Sequence, residues 1–149
     1  MIIRRAIADD VPRIAELEEL CFTDPWSEKD IFSLVCSDSG MCFAALDDGG
    51  ELIAYVFGRL IAPEGEIYRV ATHPDKRRRG IGYRLLSYAL KTERGRGLES
   101  TFLEVRSKNI AARALYTAHG FTEVGMRKGY YQNPADDAVI MLLGNLKYI

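Results

Sequence analysis

Between Val70 and Gly82 the chain reads Val-Ala-Thr-His-Pro-Asp-Lys-Arg-Arg-Arg-Gly-Ile-Gly. A strand-forming run ends at a proline, four cations follow in a row, and two glycines open an apolar pattern of helical period. That order suits an anion. Glycines let backbone N–H groups approach a ligand closely, a helix N-terminus offers unpaired donors and the positive end of its dipole, and arginines add charge-assisted hydrogen bonds. A pyrophosphate is a natural guest, with Arg77, Arg78, Arg79, Gly80, Ile81 and Gly82 as its candidate holders. The segment lacks the Gly-Lys-Ser/Thr of a Walker loop, and Leu85 stands where a dinucleotide fingerprint has its third glycine. By itself it reads equally as a solvated basic loop.

A second candidate is Glu104, a carboxylate inside the apolar run Phe102-Leu103-Glu104-Val105. Apolar surroundings favour the protonated form of an acid and suit it to accept a proton. The same pattern also fits an outward-facing strand residue or a salt-bridge partner of Arg106. Trp26, Tyr130 and Tyr131 fall at loop positions where aromatics can wall a slot or pack an edge. His73 and His119 read as structural.

Bulk properties narrow the field. With 149 residues and 48% apolar content the chain suits one compact domain, taken as 1–149, with a sizeable core. Its 20 basic and 21 acidic residues give a net charge of -1, which argues against broad electrostatic binding to nucleic acid or membrane. Cys21, Cys36 and Cys42 are odd in number and form no CxxC. We read them as buried small hydrophobes, in keeping with a reducing cytoplasm. With two histidines, no zinc spacing can be drawn and no metal is expected. The N-terminus does not read as a signal peptide, and no apolar run approaches a membrane span.

These residues need elements to position them. Ile2 to Ala6, Met41 to Leu46, Leu52 to Leu60, Glu66 to Thr72, Thr101 to Val105, Thr122 to Arg127 and Ala138 to Leu143 read as strands. Asp9 or Asp10 with Pro12 opens a first helix, and Ser27 followed by Asp30 resembles a capping box opening a second. Asp47-Asp48-Gly49-Gly50 supplies a hairpin turn. A third helix starts at Gly80-Ile81-Gly82 and carries Leu85, Leu86, Ala89 and Leu90. Asn109 caps a fourth, which Gly120 stops. The order βααβββαβαββ predicts a mixed sheet flanked by helices, of class α+β (α/β three-layer), and lacks the strict alternation of a doubly wound fold.

Three motifs then resemble those of the GNAT acyltransferase family, in family order and spacing: Arg77-Arg78-Arg79-Gly80-Ile81-Gly82, the preceding Val70-Ala71-Thr72-His73-Pro74, and Asn109-Ile-Ala-Ala-Arg-Ala-Leu-Tyr-Thr-Ala-His-Gly-Phe121. The resemblance spans nearly the whole chain. It implies an acetyl-CoA-dependent transferase of GNAT acyl-CoA N-acyltransferase fold, with the cofactor held at Val70, Ala71, Thr72, Arg77–Gly82 and Asn109. It also implies that backbone donors at Val70 to Thr72 meet the thioester oxygen and that Tyr116 protonates the departing thiolate. Phe22-Thr23-Asp24-Pro25-Trp26-Ser27, Leu103-Glu104-Val105-Arg106 and Tyr130-Tyr131 before Ala138-Val139-Ile140-Met141 are similar to the bacterial ribosomal-protein-alanine N-acetyltransferases. That similarity implies Glu104 as general base, Trp26, Tyr130 and Tyr131 on the acceptor side, and the N-terminal alanine of a small-subunit ribosomal protein as acceptor. An α-amino group, with pKa about 7.7–8.0 against about 10.4 for lysine, asks little of one base. A monomer or weak homodimer is expected. Rival readings are transfer to a small-molecule amine or lysine, a non-catalytic acyl-CoA sensor, and a nucleic-acid contact through Lys76 to Arg79.

Overall fold

The computed structural model describes residues 1–144; the last five residues of the expected 1–149 domain lie outside the described residues. In chain order the elements are β1 (Ile2–Arg5), α1 (Val11–Cys21), α2 (Glu28–Val35), β2 (Gly40–Leu46), β3 (Leu52–Ile61), β4 (Glu64–Thr72), α3 (Ile81–Arg94), β5 (Ser100–Arg106), α4 (Ile110–Ala118), β6 (Thr122–Tyr131) and β7 (Asp136–Gly144), with short 3-10 turns at Ala8–Asp10 and Pro74–Lys76. The element order is the expected one. Tyr130 and Tyr131, expected in a loop, instead end β6.

Local chemistry explains the boundaries. Ser27 Oγ accepts from the Asp30 N–H at 3.1 Å and starts α2. Asn109 Oδ1 accepts from the Ala112 N–H at 3.2 Å and starts α4. Asp47 folds the β2–β3 turn by accepting from Gly49 and Glu51 N–H groups, and Gly50 takes the left-handed φ of +83°.

The strands form one sheet in the order β1-β2-β3-β4-β5-β7-β6. All neighbours are antiparallel except β4 and β5, which run parallel. Both faces are covered, making three layers. On one face α3 and α4 pack through Leu85, Leu86, Ala89, Leu90 and Tyr116 onto Phe43, Val56, Ile67, Leu103 and Val105. On the other, α1 and α2 pack through Ile14, Leu17, Ile31 and Leu34 onto Cys42, Ala44, Tyr55 and Phe57. Of the cysteines only Cys42 is buried as expected. Cys21 is half-buried beside a cleft, and Cys36 is exposed because it caps the end of α2 at the surface.

The feature that creates a site is the β4–β5 pairing. It holds from Glu64↔Ser100 to Ile67↔Leu103 and then stops, although β4 runs on to Thr72 and β5 to Arg106. The divergence begins at a bulge. Phe57 of β3 opposes Arg69, while Gly58 opposes Ile67, so Tyr68 is an extra residue in β4. A bulge bends and twists its strand. Here it turns the second half of β4 away from β5 and opens the middle of the sheet. No helix among the described residues is long and apolar enough to cross a membrane.

Candidate active site

Three cavities meet in the opening. The largest, about 700 Å³, runs from the Lys76–Gly82 loop along the end of β4 to Asn109, Ala112 and Leu115 of α4. A second, about 330 Å³, fills the split between the strands and contains Glu104 and Tyr116. A third, about 610 Å³, opens on the α1–α2 side between Trp26, Tyr68, Tyr130 and Tyr131. The first two share Cys21, Phe22, Val70, Asn109 and Ala112. The last two share Thr23, Asp24, Tyr68, Arg69, Glu104 and Tyr131. The result is a continuous passage through the sheet.

The sequence-predicted residues distribute along this passage. At one end, the loop before α3 is shaped for an anion. Gly80 is the N-cap of α3 at φ +75°. Arg78 takes φ +66°, a conformation a side chain rarely adopts; such strain is retained where the backbone serves a ligand. Concave runs of N–H groups in this kind of turn bind anions. Gly82 faces the cleft with its missing Cβ 3.6 Å from Leu115 and 3.8 Å from Thr72 Oγ1, so any larger residue narrows the floor. Arg77 turns back and donates to the Thr72 carbonyl at 3.1 Å, tying the loop to the end of β4. Arg79 departs from the expected grouping: it lines a separate depression with Met1, Asp47 and Arg84. The long cleft, its basic mouth and its N–H-lined turn fit a coenzyme A arm.

In the middle, Val70, Ala71 and Thr72 lie past the end of the β4–β5 ladder, where no β5 partner takes up their backbone groups. Tyr116 is 5% exposed and rests against Phe121 at 5.6 Å between ring centres. Burial pushes its phenol above the ordinary tyrosine range, with the nearby Tyr131 adding to the effect. The group therefore keeps its proton at neutral pH. Glu104 lies between Leu103 and Val105, both of which point into the α3–α4 core. Alternation puts its own side chain on the other face. The opening is what brings a carboxylate from one face and a phenol from the other into one cavity.

Glu104 does not pair with Arg106, the alternative that the sequence left open. Arg106 donates instead to the carbonyls of Gln132 and Pro134 and covers the Tyr131 ring at 4.4 Å. The Glu104 side chain is 24% exposed, and Oε2 is buried without a hydrogen bond, with Arg127 Nε 3.5 Å away.

At the other end of the passage, Tyr131 and Tyr130 stand edge to face at 5.0 Å, and burial, with the Glu104 charge second, raises the Tyr131 phenol to about 12. Trp26 lines the cavity and also packs on Phe57 and Tyr68 at 5.0 and 5.1 Å. His73 accepts from the Asp75 N–H and His119 meets Ser87 Oγ at 2.9 Å; both are structural, as expected.

Sequence reasoning missed the support of this wall. Glu18 is fully buried in α1. It accepts from the Tyr55 hydroxyl at 2.5 Å, from the Trp26 N–H at 2.9 Å and from Arg69 Nε at 3.3 Å. Arg69 in turn donates to the Asp24 carbonyl and stacks over Phe22 at 4.0 Å. A carboxylate next to Leu17 on a core-facing helix turn was the only available signal.

Fold and site together define an acyl-CoA-dependent acyltransferase. The acetyltransferase (GNAT) family model matches residues 11–121, and the chain belongs to that family. Within it, the chain is 33% identical over 138 residues, covering 90% of each protein, to [ribosomal protein bS18]-alanine N-acetyltransferase of Escherichia coli strain K12. It is 37% identical, covering 89% of this chain and 85% of the relative, to N-alpha-acetyltransferase RimI of Mycobacterium tuberculosis. The crystal structure of the ribosomal-protein-S18-alanine N-acetyltransferase from Escherichia coli superposes with TM-score 0.88 at 31% identity, over 96% of this chain and 92% of that one.

Proposed function

We propose that this acyltransferase moves an acetyl group from acetyl-CoA to the N-terminal α-amino group of a protein, the N-terminal alanine of a small-subunit ribosomal protein being the acceptor best supported by its relatives. The observation that carries the reading is the passage through the sheet: a cofactor cleft and an acceptor slot enter from opposite faces and meet at Glu104 and Tyr116.

Acetyl-CoA supplies the thioester whose carbonyl carbon is attacked. The Arg77–Gly82 backbone and the α3 N-terminus hold its pyrophosphate, and Asn109 flanks its arm. Glu104 takes a proton from the incoming ammonium, and the neutral amine forms the new C–N bond. The N–H groups of the Val70–Thr72 segment that face the gap rather than β3 receive the negative charge that develops on the carbonyl oxygen, the role in which fixed donors contribute most to acyl transfer. As the C–S bond breaks, Tyr116 gives its phenolic proton to the sulfur; the excess proton on the amide nitrogen then restores the Tyr116 phenol through water, and Glu104 releases the proton it took to solvent. No metal takes part in these steps. The domain acts over residues 1–149 in the cytoplasm as a monomer or weak homodimer.

The test is thiol release from acetyl-CoA with an Ala-starting hexapeptide matching the cell's own ribosomal protein, the same peptide with a blocked N-terminus, a lysine-bearing peptide, and polyamines. Release with the free Ala-terminal peptide alone is the expected result. Release with a lysine or small amine instead discards the ribosomal acceptor and keeps the transferase chemistry.

A further inference from the structure

A residue outside every sequence motif faces the acceptor cavity. Glu66 lies in β4 opposite Phe102 of β5, two residues from Glu104 on the neighbouring strand. Its neighbour Ile67 points into the α3–α4 core, as do Leu103 and Val105, so Glu66 and Glu104 stand on the same face as diagonal neighbours. Such diagonal positions lie within reach of long side chains. Both line the acceptor cavity.

Neither carboxylate makes a side-chain hydrogen bond among the described residues. Glu66 is half-buried and makes no side-chain hydrogen bond or salt bridge among the described residues; Arg59 and Arg127 act on it only from a distance. Glu104 Oε2 is buried without a hydrogen bond, and its one ionic neighbour, Arg127, sits at 3.5 Å with a side chain 58% exposed. Desolvating a carboxylate without donors is costly. Burial, followed by the Glu104 charge, holds the Glu66 proton affinity above the usual carboxylate range. Four aromatic rings, Trp26, Tyr68, Tyr130 and Tyr131, surround the same space, and aromatic faces attract cations.

We propose that Glu66 is a substrate-binding residue: with Glu104 it forms a two-carboxylate seat for the acceptor's primary ammonium, which the aromatic walls complete. An ammonium brings three donors. One goes to Glu66, one to Glu104, and the proton on the Glu104 side is the one removed. Glu66 thereby selects a charged primary amine over a neutral or blocked end and orients it before deprotonation. Arg127, held weakly at the rim, yields as the ammonium enters.

This inference rests on the amine-acylation reading, and the experiment separates the two. The Ala-starting hexapeptide is titrated calorimetrically into the protein saturated with CoA, which cannot react. The same is done with a peptide whose terminal amine is replaced by hydroxyl. Glu66→Gln keeps the shape and breaks no hydrogen bond, so it should fold like the parent, which a thermal melt verifies; Glu66→Asp is the conservative companion. The expected result is a roughly tenfold loss of affinity for the amine peptide in Glu66→Gln, partial recovery in Glu66→Asp, and no change for the hydroxyl peptide or for acetyl-CoA. Equal affinity of parent and Glu66→Gln for the amine peptide overturns the seat, as does an equal loss for both peptides, which would mark a shape effect. If the parent enzyme turns over only a small primary amine, the titration is run with that amine, so the ribosomal acceptor and the Glu66 seat fall or stand separately.

Discussion

In the proposed mechanism Glu104 acts with few polar partners. Its Oε2 has no hydrogen bond and one ionic neighbour, Arg127 Nε at 3.5 Å on a side chain 58% exposed, a rim cation that an entering ammonium can replace. General-base groups contribute typically 10²–10⁴-fold to rate, and Glu104→Gln is expected to lower kcat/KM for the peptide by about 10²-fold while acetyl-CoA binding, measured by titration, is unchanged. The deficit should shrink as pH rises past about 8, because an α-amino group with pKa about 7.7–8.0 then deprotonates without help. A deficit constant from pH 6 to 9 removes Glu104 as the base. Tyr116 makes the opposite demand, since an acid must keep its proton. Burial lifts its phenol above the ordinary value near 10, so the protonated, active form persists as pH rises. Peptide turnover should therefore show no fall attributable to Tyr116 up to about pH 10, and Tyr116→Phe should lower kcat by about 10²-fold at every pH below that. An alkaline decline near pH 9 that vanishes in Tyr116→Phe would contradict the assignment.

At the scale of elements, the site exists because one strand bends. The bulge at Tyr68 needs β3 and β4 to come very close, and Gly58 allows it: a Cβ there would sit 2.1 Å from the Glu66 carbonyl oxygen and 3.0 Å from the Ile67 Cα. Backbone cannot yield as a flexible side chain does. Gly58→Ala is expected to cost about 2–3 kcal/mol, in the range of overpacked cores, lowering Tm by about 5–10 °C. It should also lower acetyl transfer at temperatures where the variant is folded, since Glu66 and the free end of β4 move together. Full activity at unchanged Tm would dissociate the bulge from the site. Much of this level was legible in the sequence. Ser27 and Asn109 announce caps through side-chain oxygens that accept from backbone N–H groups, Gly50 and Gly80 announce turns through positive φ, and the Arg77–Gly82 loop announces a turn shaped for an anion. The bulge was not legible: Tyr68 belongs in any strand, and nothing local distinguishes an inserted residue from a paired one. Glu66 stayed hidden for the same reason, as its meaning comes from a register with β5 more than thirty positions away. Glu18 likewise looks like a surface acid of α1 until Tyr55, Arg69 and Trp26 converge on it from other elements.

For the molecule as a whole, the opening is a structural cost that ligands offset. Past Ile67↔Leu103 the two halves of the sheet no longer share a ladder. They are joined by the helical layers, while the Glu18 cluster ties α1 to β3, β4 and the Trp26 loop within the first half. The cofactor cleft is bounded on one side by the end of β4 and the α3 loop, and on the other by α4. A bound acetyl-CoA therefore bridges both halves of the gap. Binding only the folded state stabilises it by RT ln(1 + [L]/Kd), about 2.7 kcal/mol at a hundredfold excess over Kd, or roughly 5–10 °C in Tm for a chain of this size. Hydrogen exchange should slow at Tyr68–Thr72 and also at the start of α4, on the two sides of the cleft. Protection confined to the Arg77–Gly82 loop would mean that only the pyrophosphate is held and that the arm does not enter the gap. No rise in Tm at saturating acetyl-CoA would remove the cleft from the cofactor's path. Protection on both sides, extending to Trp26 and Tyr131 only when an acceptor peptide is added with CoA, would show the passage filling from its two ends.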